Sequence, residues 1–337
     1  MKRLPVLILS LVLAVFVFAG NGAAASADKA GAIISAAELK SLIDSGDKKL
    51  VLFGVINPTA ALVPFSASAR PIDGSWLVWR SAYSSGNTQE AIAPEVTGYR
   101  RSKAQMEELL SKAGVTPDSK IVVYAADAMH DCARFVWQLK LLGLADVRYL
   151  DGGINAWLAA GYPHGNGIKI EDQKTAKTDF KAPNYNPAAF DVTFDLVKKA
   201  LASKEWVVID ARSGEEYEGK QTSSSSGAFG TGRFKGVVHI NWTRAVDSNT
   251  NLLKPAKELQ AIYGDVIRGK KVIAYCQSGV RSAHTWLVLT QVLGAKDVYN
   301  YDGSWIEWSF AASEASGGKF PGMKDLVEEW KDNKRPL

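Results

Sequence analysis

The chain repeats itself, and this limits its fold more than any other feature. Residues 122–157, VVYAADAMHDCARFVWQLKLLGLADVRYLDGGINAW, fall without a gap on residues 273–308, IAYCQSGVRSAHTWLVLTQVLGAKDVYNYDGSWIEW. Tyr124 meets Tyr275, Leu142-Gly143 meets Leu293-Gly294, Asp151-Gly152 meets Asp302-Gly303 and Trp157 meets Trp308. Identities at turn and aromatic positions over an ungapped stretch indicate a duplicated unit. A chain of 337 residues exceeds what one hydrophobic core usually supports, so two domains of one design are expected.

Each copy reads as α/β. In the first, Ser35-Ala36-Ala37-Glu38 forms a capping box that opens a helix. KLVLFGV, KIVVYA and VRYL are short apolar runs suited to buried strands, with a helix over 130–142 and another from Gly153 to Ala160. The second copy predicts strands WVVID, GVVHI, KVIAY and DVYNY. Its helices are expected near Thr193–Ser203, Pro255–Tyr263, Ser282–Leu293 and Ser304–Ala312. Strands alternating with helices imply a parallel sheet covered on both faces.

The expected boundaries follow from composition. Residues 1–27 combine Lys2-Arg3, an apolar run from Leu4 to Ala19 and the small-residue exit Ala25-Ser26-Ala27. That order reads as a signal peptide cleaved after Ala27, which implies a periplasmic or secreted protein without stable membrane association after cleavage. Domain 1 is expected over 28–165, a polar linker with Pro183 and Pro187 over 166–190, domain 2 over 191–315 and a tail over 316–337. The tail predicts a short helix, Met323–Trp330, and KQTSSSSGAFGTG (220–232) a Ser/Gly loop. The net charge of +5 includes Lys2 and Arg3 and comes with no basic tract, so nucleic acid is not implied. The four histidines have no metal-ligand spacing, and neither a metal nor a cofactor is expected.

The chemistry concentrates in AYCQSGVRSA, residues 274–283. Cys276 follows a strand and precedes a helix, at the carboxyl edge of the sheet where α/β proteins bind ligands. The amides of Gln277, Ser278, Gly279, Val280 and Arg281 can curl around its sulfur, with the positive end of the helix behind them. Gly279 supplies backbone freedom and Arg281 a full charge. All of these favour the nucleophilic thiolate. The first copy has Ala125, Ala128 and His130 in place of Cys276, Gly279 and Arg281, and Phe53 and Val55 in place of Asp210 and Arg212. One copy is equipped for chemistry and the other is not. Cys132, in the helix of the unequipped copy, reads as core.

The strand-Cys-x-x-Gly-x-Arg-helix loop, preceded by VVIDARSGEEY and followed by YDGSWIEW, resembles the rhodanese family in its tandem-domain form. The resemblance implies two rhodanese-like domains, the first inactive. It implies sulfur transfer from a donor such as thiosulfate, through a Cys276 persulfide, to a thiophilic acceptor such as cyanide or a protein. Asp210 would hold the loop and Arg212 would pair with Glu215 or Glu216. Arg281 would bind a sulfonate or carboxylate oxygen. Arg233, in GRFKG, reads equally as a second anion ligand or a surface residue, and Arg244 is a weaker candidate. Gln277-Ser278 matches neither the thiosulfate-type nor the mercaptopyruvate-type loop, so a 3-mercaptopyruvate sulfurtransferase is an alternative. A non-enzymatic sulfur carrier or binding module is another. A phosphatase or arsenate reductase on the same fold is the third, and its loop would place five residues between Cys and Arg where this one has four, Gln277 to Val280.

Overall fold

The structure is a computed structural model and describes residues 31–84, 90–126, 128–221 and 227–332. The first repeat contains, in chain order, β1 (Ile33–Ile34), α1 (Ala36–Asp44), β2 (Leu50–Val55), β3 (Trp76–Val78), α2 (Arg80–Tyr83), α3 (Lys103–Ala113), β4 (Lys120–Ala125), α4 (Met129–Leu141), β5 (Val147–Leu150), α5 (Gly153–Ala159) and β6 (Ile168–Lys169). The second contains α6 (Phe194–Leu201), β7 (Trp206–Asp210), α7 (Gly214–Tyr217), β8 (Gly230–Phe234), β9 (Val238–His239), α8 (Ala256–Ile267), β10 (Lys271–Tyr275), α9 (Val280–Leu287), β11 (Val298–Asn300), α10 (Ser304–Ala312) and β12 (Val327–Asp332).

Two parallel sheets result. The first runs β1-β5-β4-β2-β3-β6 and the second β11-β10-β7-β9. The central strands are the unbroken Val/Ile runs of the sequence, because both of their faces are covered. On the outer face of the first sheet, Leu39 of α1 and Trp157 of α5 pack with Val122 and Tyr124. On the outer face of the second, Val197 of α6 and Trp308 of α10 pack with Val208 and Ile273. The inner faces share one continuous core. Phe135 and Trp137 of α4 and Trp286 and Leu287 of α9 belong to it, as do Phe53 and Val123 from the first sheet and Ile209 and Val272 from the second. The repeats are therefore joined by a hydrophobic interior rather than a polar contact.

Three segments differ from their sequence reading. The segment expected as a linker carries β6, which pairs with β3, and it buries Ile170 and Phe180. The tail is not a helix: after a single 3-10 turn at Met323–Leu326, β12 pairs antiparallel with β8. The apolar pair Val327 and Trp330 fits a helical spacing, but an open strand edge at β8 offers donors and acceptors that a helix would leave unmet. Residues 230–232 of the expected Ser/Gly loop lie in β8, and 222–226 are outside the described residues. The expected signal peptide, 1–27, also lies outside them. No helix among the described residues is long and apolar enough to cross a membrane.

His284 of α9 is fully buried, edge-on to Trp242 (5.1 Å) and Tyr149 (6.2 Å). Burial, helped by His130, holds its pKa down to about 3. An unfolded imidazole titrates near 6.5, so below that pH the unfolded chain binds a proton that the folded chain refuses, and stability falls as pH falls. This costs about 2 kcal/mol at pH 5. Urea unfolding between pH 7 and pH 5 checks it: the wild type should lose stability, to which His130, held down to about 4 by burial, also contributes, and His284→Leu should lose about 2 kcal/mol less over the same range.

Candidate active site

Cys276 follows β10 directly, and Gly279 closes the loop as the residue before α9. Gly279 has φ +72°, and a Cβ there would meet Nη1 of Arg134 at 2.7 Å and the backbone oxygen of Asp302 at 3.0 Å. Only glycine meets both the conformation and the space. The Cys276 sulfur is almost wholly buried, at 1% exposure. The Ser282 hydroxyl stands 3.5 Å from it and also 2.6 Å from Oδ1 of Asn300. Burial pushes the thiol up, but the Arg281 charge, the Ser282 hydroxyl and the amides of Ser282 and Ser278 outweigh it, and the thiol lies below its ordinary value. The amide cradle thus comes from Ser278 and Ser282, the latter one residue past the expected range.

Cys132 is an internal control. It is buried to the same degree, and its thiol donates to the carbonyl of Val123 (3.3 Å). Burial pushes its pKa well up and Asp131 adds to the rise. Both cysteines are free thiols. The fold alone therefore makes an inert thiol, and the donors around Cys276 reverse the sign.

The polar partners correct one expectation. Arg212 does not pair with Glu215 or Glu216. Its Nη2 reaches Oδ2 of Asp210 at 2.6 Å and the carbonyl of Gly232 at 2.8 Å. Tyr275 also donates to Asp210, and the Arg212 guanidinium lies 4.8 Å over the Trp305 ring. Glu216 instead accepts both terminal nitrogens of Arg281, at 2.6 and 2.8 Å. Glu216 belongs to the Ser213 capping box that starts α7, which fixes the carboxylate that Arg281 meets. Arg212 takes the acid that its own backbone already meets: Asp210 accepts from the Arg212 amide as well, at 3.0 Å.

Arg233 is tied to the tail. It bonds Glu328 at 2.9 Å and the Tyr217 carbonyl at 2.9 Å, with its guanidinium 4.4 Å over the Tyr217 ring. Arg244 is exposed in the 3-10 turn Trp242–Ala245. Gln277 and Val280 are buried, with the Gln277 carbonyl accepting from Ile306 (3.0 Å). Ser278 is half-buried and faces Gly98 of the first repeat, where a Cβ would stand 3.1 Å from its own.

Ser304 escaped the sequence reading. Its Oγ accepts from the amides of Cys276 (3.2 Å) and Gly279 (2.9 Å) and donates to the carbonyl of Tyr301 (2.6 Å). One hydroxyl thus clamps both ends of the sulfur loop. It does so from a left-handed backbone, φ +47°, that disfavours side chains. The matching residue of the first repeat is Gly153, φ +57°, where a Cβ would lie 2.1 Å from the Ala125 carbonyl. The alignment of a strained serine with a relaxed glycine is the signal that could have found it.

Ser304→Ala should leave two buried amides without an acceptor and lower stability by about 1–3 kcal/mol. Ser304→Gly should recover roughly 1 kcal/mol of that loss by relieving the backbone. Both variants should raise the Cys276 thiol pKa, read from the pH dependence of iodoacetamide alkylation. An unchanged alkylation profile in both would remove the clamp from the site.

The sequence profile of the rhodanese-like domain matches residues 35–160 and 193–311. The SseA protein of Mycobacterium tuberculosis (strain CDC 1551 / Oshkosh) is 34% identical over 239 residues, covering 69% of this chain and 78% of its own. The thiosulfate sulfurtransferase of Corynebacterium glutamicum is 32% identical over 213 residues, 60% of this chain and 67% of its own. The sulfur carrier protein TtuD of Thermus thermophilus is 29% identical over 225 residues, 61% of this chain and 74% of its own. Among solved structures, wild-type EanB superposes with a TM-score of 0.66 at 21% identity, covering 82% of this chain and 67% of that one. That likeness speaks for the fold alone. Matched in both repeats, each built on a parallel sheet, the chain belongs to the rhodanese family as a tandem-domain member.

Proposed function

We propose that this chain is a sulfurtransferase that carries sulfur on Cys276. The observation that carries the reading is the sign of the Cys276 shift: a fully enclosed thiol held below its ordinary pKa by Arg281, a hydroxyl and two amides. Relatives named thiosulfate sulfurtransferase and sulfur carrier protein support the same chemistry.

With thiosulfate, the Cys276 thiolate attacks the outer sulfur. The S–S bond of the donor breaks, sulfite leaves with the electron pair, and Cys276 becomes a persulfide anion. The amides of Ser278 and Ser282 that face the first sulfur stabilise the anion in both forms. Cyanide then attacks the outer sulfur, the bond to Sγ breaks, and thiocyanate leaves as the thiolate returns. Four residues between Cys276 and Arg281 make a loop suited to a single sulfur rather than a phosphate. Asp210 and Arg212 act as loop support through Tyr275, not on substrate. The sequence pattern of residues 1–27 supports an exported, periplasmic or secreted enzyme. A protein thiol is a further candidate acceptor, supported by the name of the Thermus relative.

Incubation with thiosulfate should add one sulfur atom to the intact protein by mass spectrometry, and cyanide should remove it with release of thiocyanate. Cys276→Ser should do neither, whereas Cys132→Ser should do both. Sulfur loading that persists in Cys276→Ser, or rapid hydrolysis of an aryl phosphate by the wild type, would overturn the proposal.

A further inference from the structure

The sulfur donor is an anion, yet three of the four arginines that the sequence singled out are engaged, and the fourth, Arg244, is exposed in the turn Trp242–Ala245. Arg281 gives both terminal nitrogens to Glu216, Arg233 is bound to Glu328 and Tyr217, and Arg212 is buried on Asp210. A further guanidinium close enough to Cys276 to feel its charge comes from the other repeat. Arg80 opens α2, just past the carboxyl end of β3, and its side chain is 44% exposed. Its Nε and Nη2 bond the two oxygens of Asp131 at 2.6 and 2.8 Å. Nη1 has no hydrogen-bond partner among the described residues.

Asp131 is buried at the first turn of α4 and also accepts from Tyr83 (2.9 Å). The fork of Arg80 is thus fixed in place by two acceptor atoms and a third anchor behind them. The same helix reaches the sulfur loop three residues later, where Nη1 of Arg134 donates to the Gly279 carbonyl at 3.3 Å. His130, between them, lies 3.5 Å from Nη2 of Arg80 and packs tilted at 4.8 Å against Trp242 of the second repeat. Arg80 and the sulfur loop are therefore both anchored on α4. The guanidinium is held protonated first by its bonds to Asp131, against burial, and the negative charge of Cys276 contributes to that hold. The two groups sense each other across the boundary between the repeats.

We propose that Arg80 of the first repeat binds the oxyanion end of the sulfur donor at the mouth of the Cys276 site. The class of ligand is a small tetrahedral oxyanion, a thiosulfonate or sulfonate, with its outer sulfur toward Cys276. The repeat with Ala125 in place of the loop cysteine supplies the charge that its neighbour has tied up in Glu216. This inference rests on the sulfur-transfer reading but is tested apart from it.

The test uses the full chain and two readouts. Sulfate, an inert oxyanion, should slow iodoacetamide alkylation of Cys276 in the wild type and have little effect in R80Q. In steady state with thiosulfate and cyanide, R80Q should raise KM for thiosulfate about tenfold with a smaller change in kcat, and R80K should recover part of the loss. If R80Q does not fold, R80K carries the test, because a lysine keeps the charge opposite Asp131 but not the fork. It should then show weaker sulfate protection and a severalfold higher KM. Sulfate protection and KM for thiosulfate both unchanged in the folded variant would overturn the assignment of Arg80. Protection without any thiocyanate release by the wild type would leave the anion site standing and sink the enzyme reading.

Discussion

The Asp302 carboxylate is the point on which the site depends. It follows β11 and receives Arg134 and Arg100, the latter through both guanidinium and backbone amide (3.0 Å). Both arginines belong to the first repeat and both are buried. Arg134 continues to the Gly279 carbonyl, so one chain of contacts runs from the first repeat, through Asp302, to the sulfur loop. Charges taken out of water in this way are tolerable only when every partner is present, and loss of one partner leaves the others uncompensated. The first repeat echoes the arrangement: Asp151, at the matching position, accepts the amide of Leu253 from the second repeat (2.8 Å). Each Asp-Gly turn is therefore gripped by an arm from the opposite copy.

Within this frame the two cysteines separate what the fold provides from what the loop adds. Both sulfurs sit in the same kind of interior, and desolvation opposes ionisation at each. At Cys132 nothing answers it. At Cys276 a guanidinium, a hydroxyl and two amides do. Arg281 acts here as a fixed charge, held in place by Glu216 through both terminal nitrogens.

Much of this was legible in the residues. The gapless repeat disclosed two α/β units, and the Val/Ile runs disclosed the central parallel strands. The contrast between Cys276 and Ala125 disclosed which unit bears the sulfur. What escaped was tertiary. Ser304 reads as an ordinary helix start, and its reach to two loop amides depends on a left-handed backbone that a sequence does not advertise. Arg80 and Arg100 lie outside the matched segments, and their importance comes from the packing of one repeat on the other. The pairing of Arg212 with Asp210 rather than Glu215 or Glu216 turns on the carboxylate that its own backbone amide meets. Strand β6 is two residues long and β12 is mostly polar, so their own residues carry little periodic signal, and the edges they cover decide their form.

The shared interior of the two repeats has a practical corollary for anyone seeking a minimal catalyst. Excising the second repeat at the connecting segment would bare Trp286, Leu287 and the rest of the inward side of α9, an apolar surface that invites aggregation. Simplifying this protein would mean repainting that surface and finding substitutes for Arg134 and Arg100, and the smaller chain would be a redesign rather than a fragment.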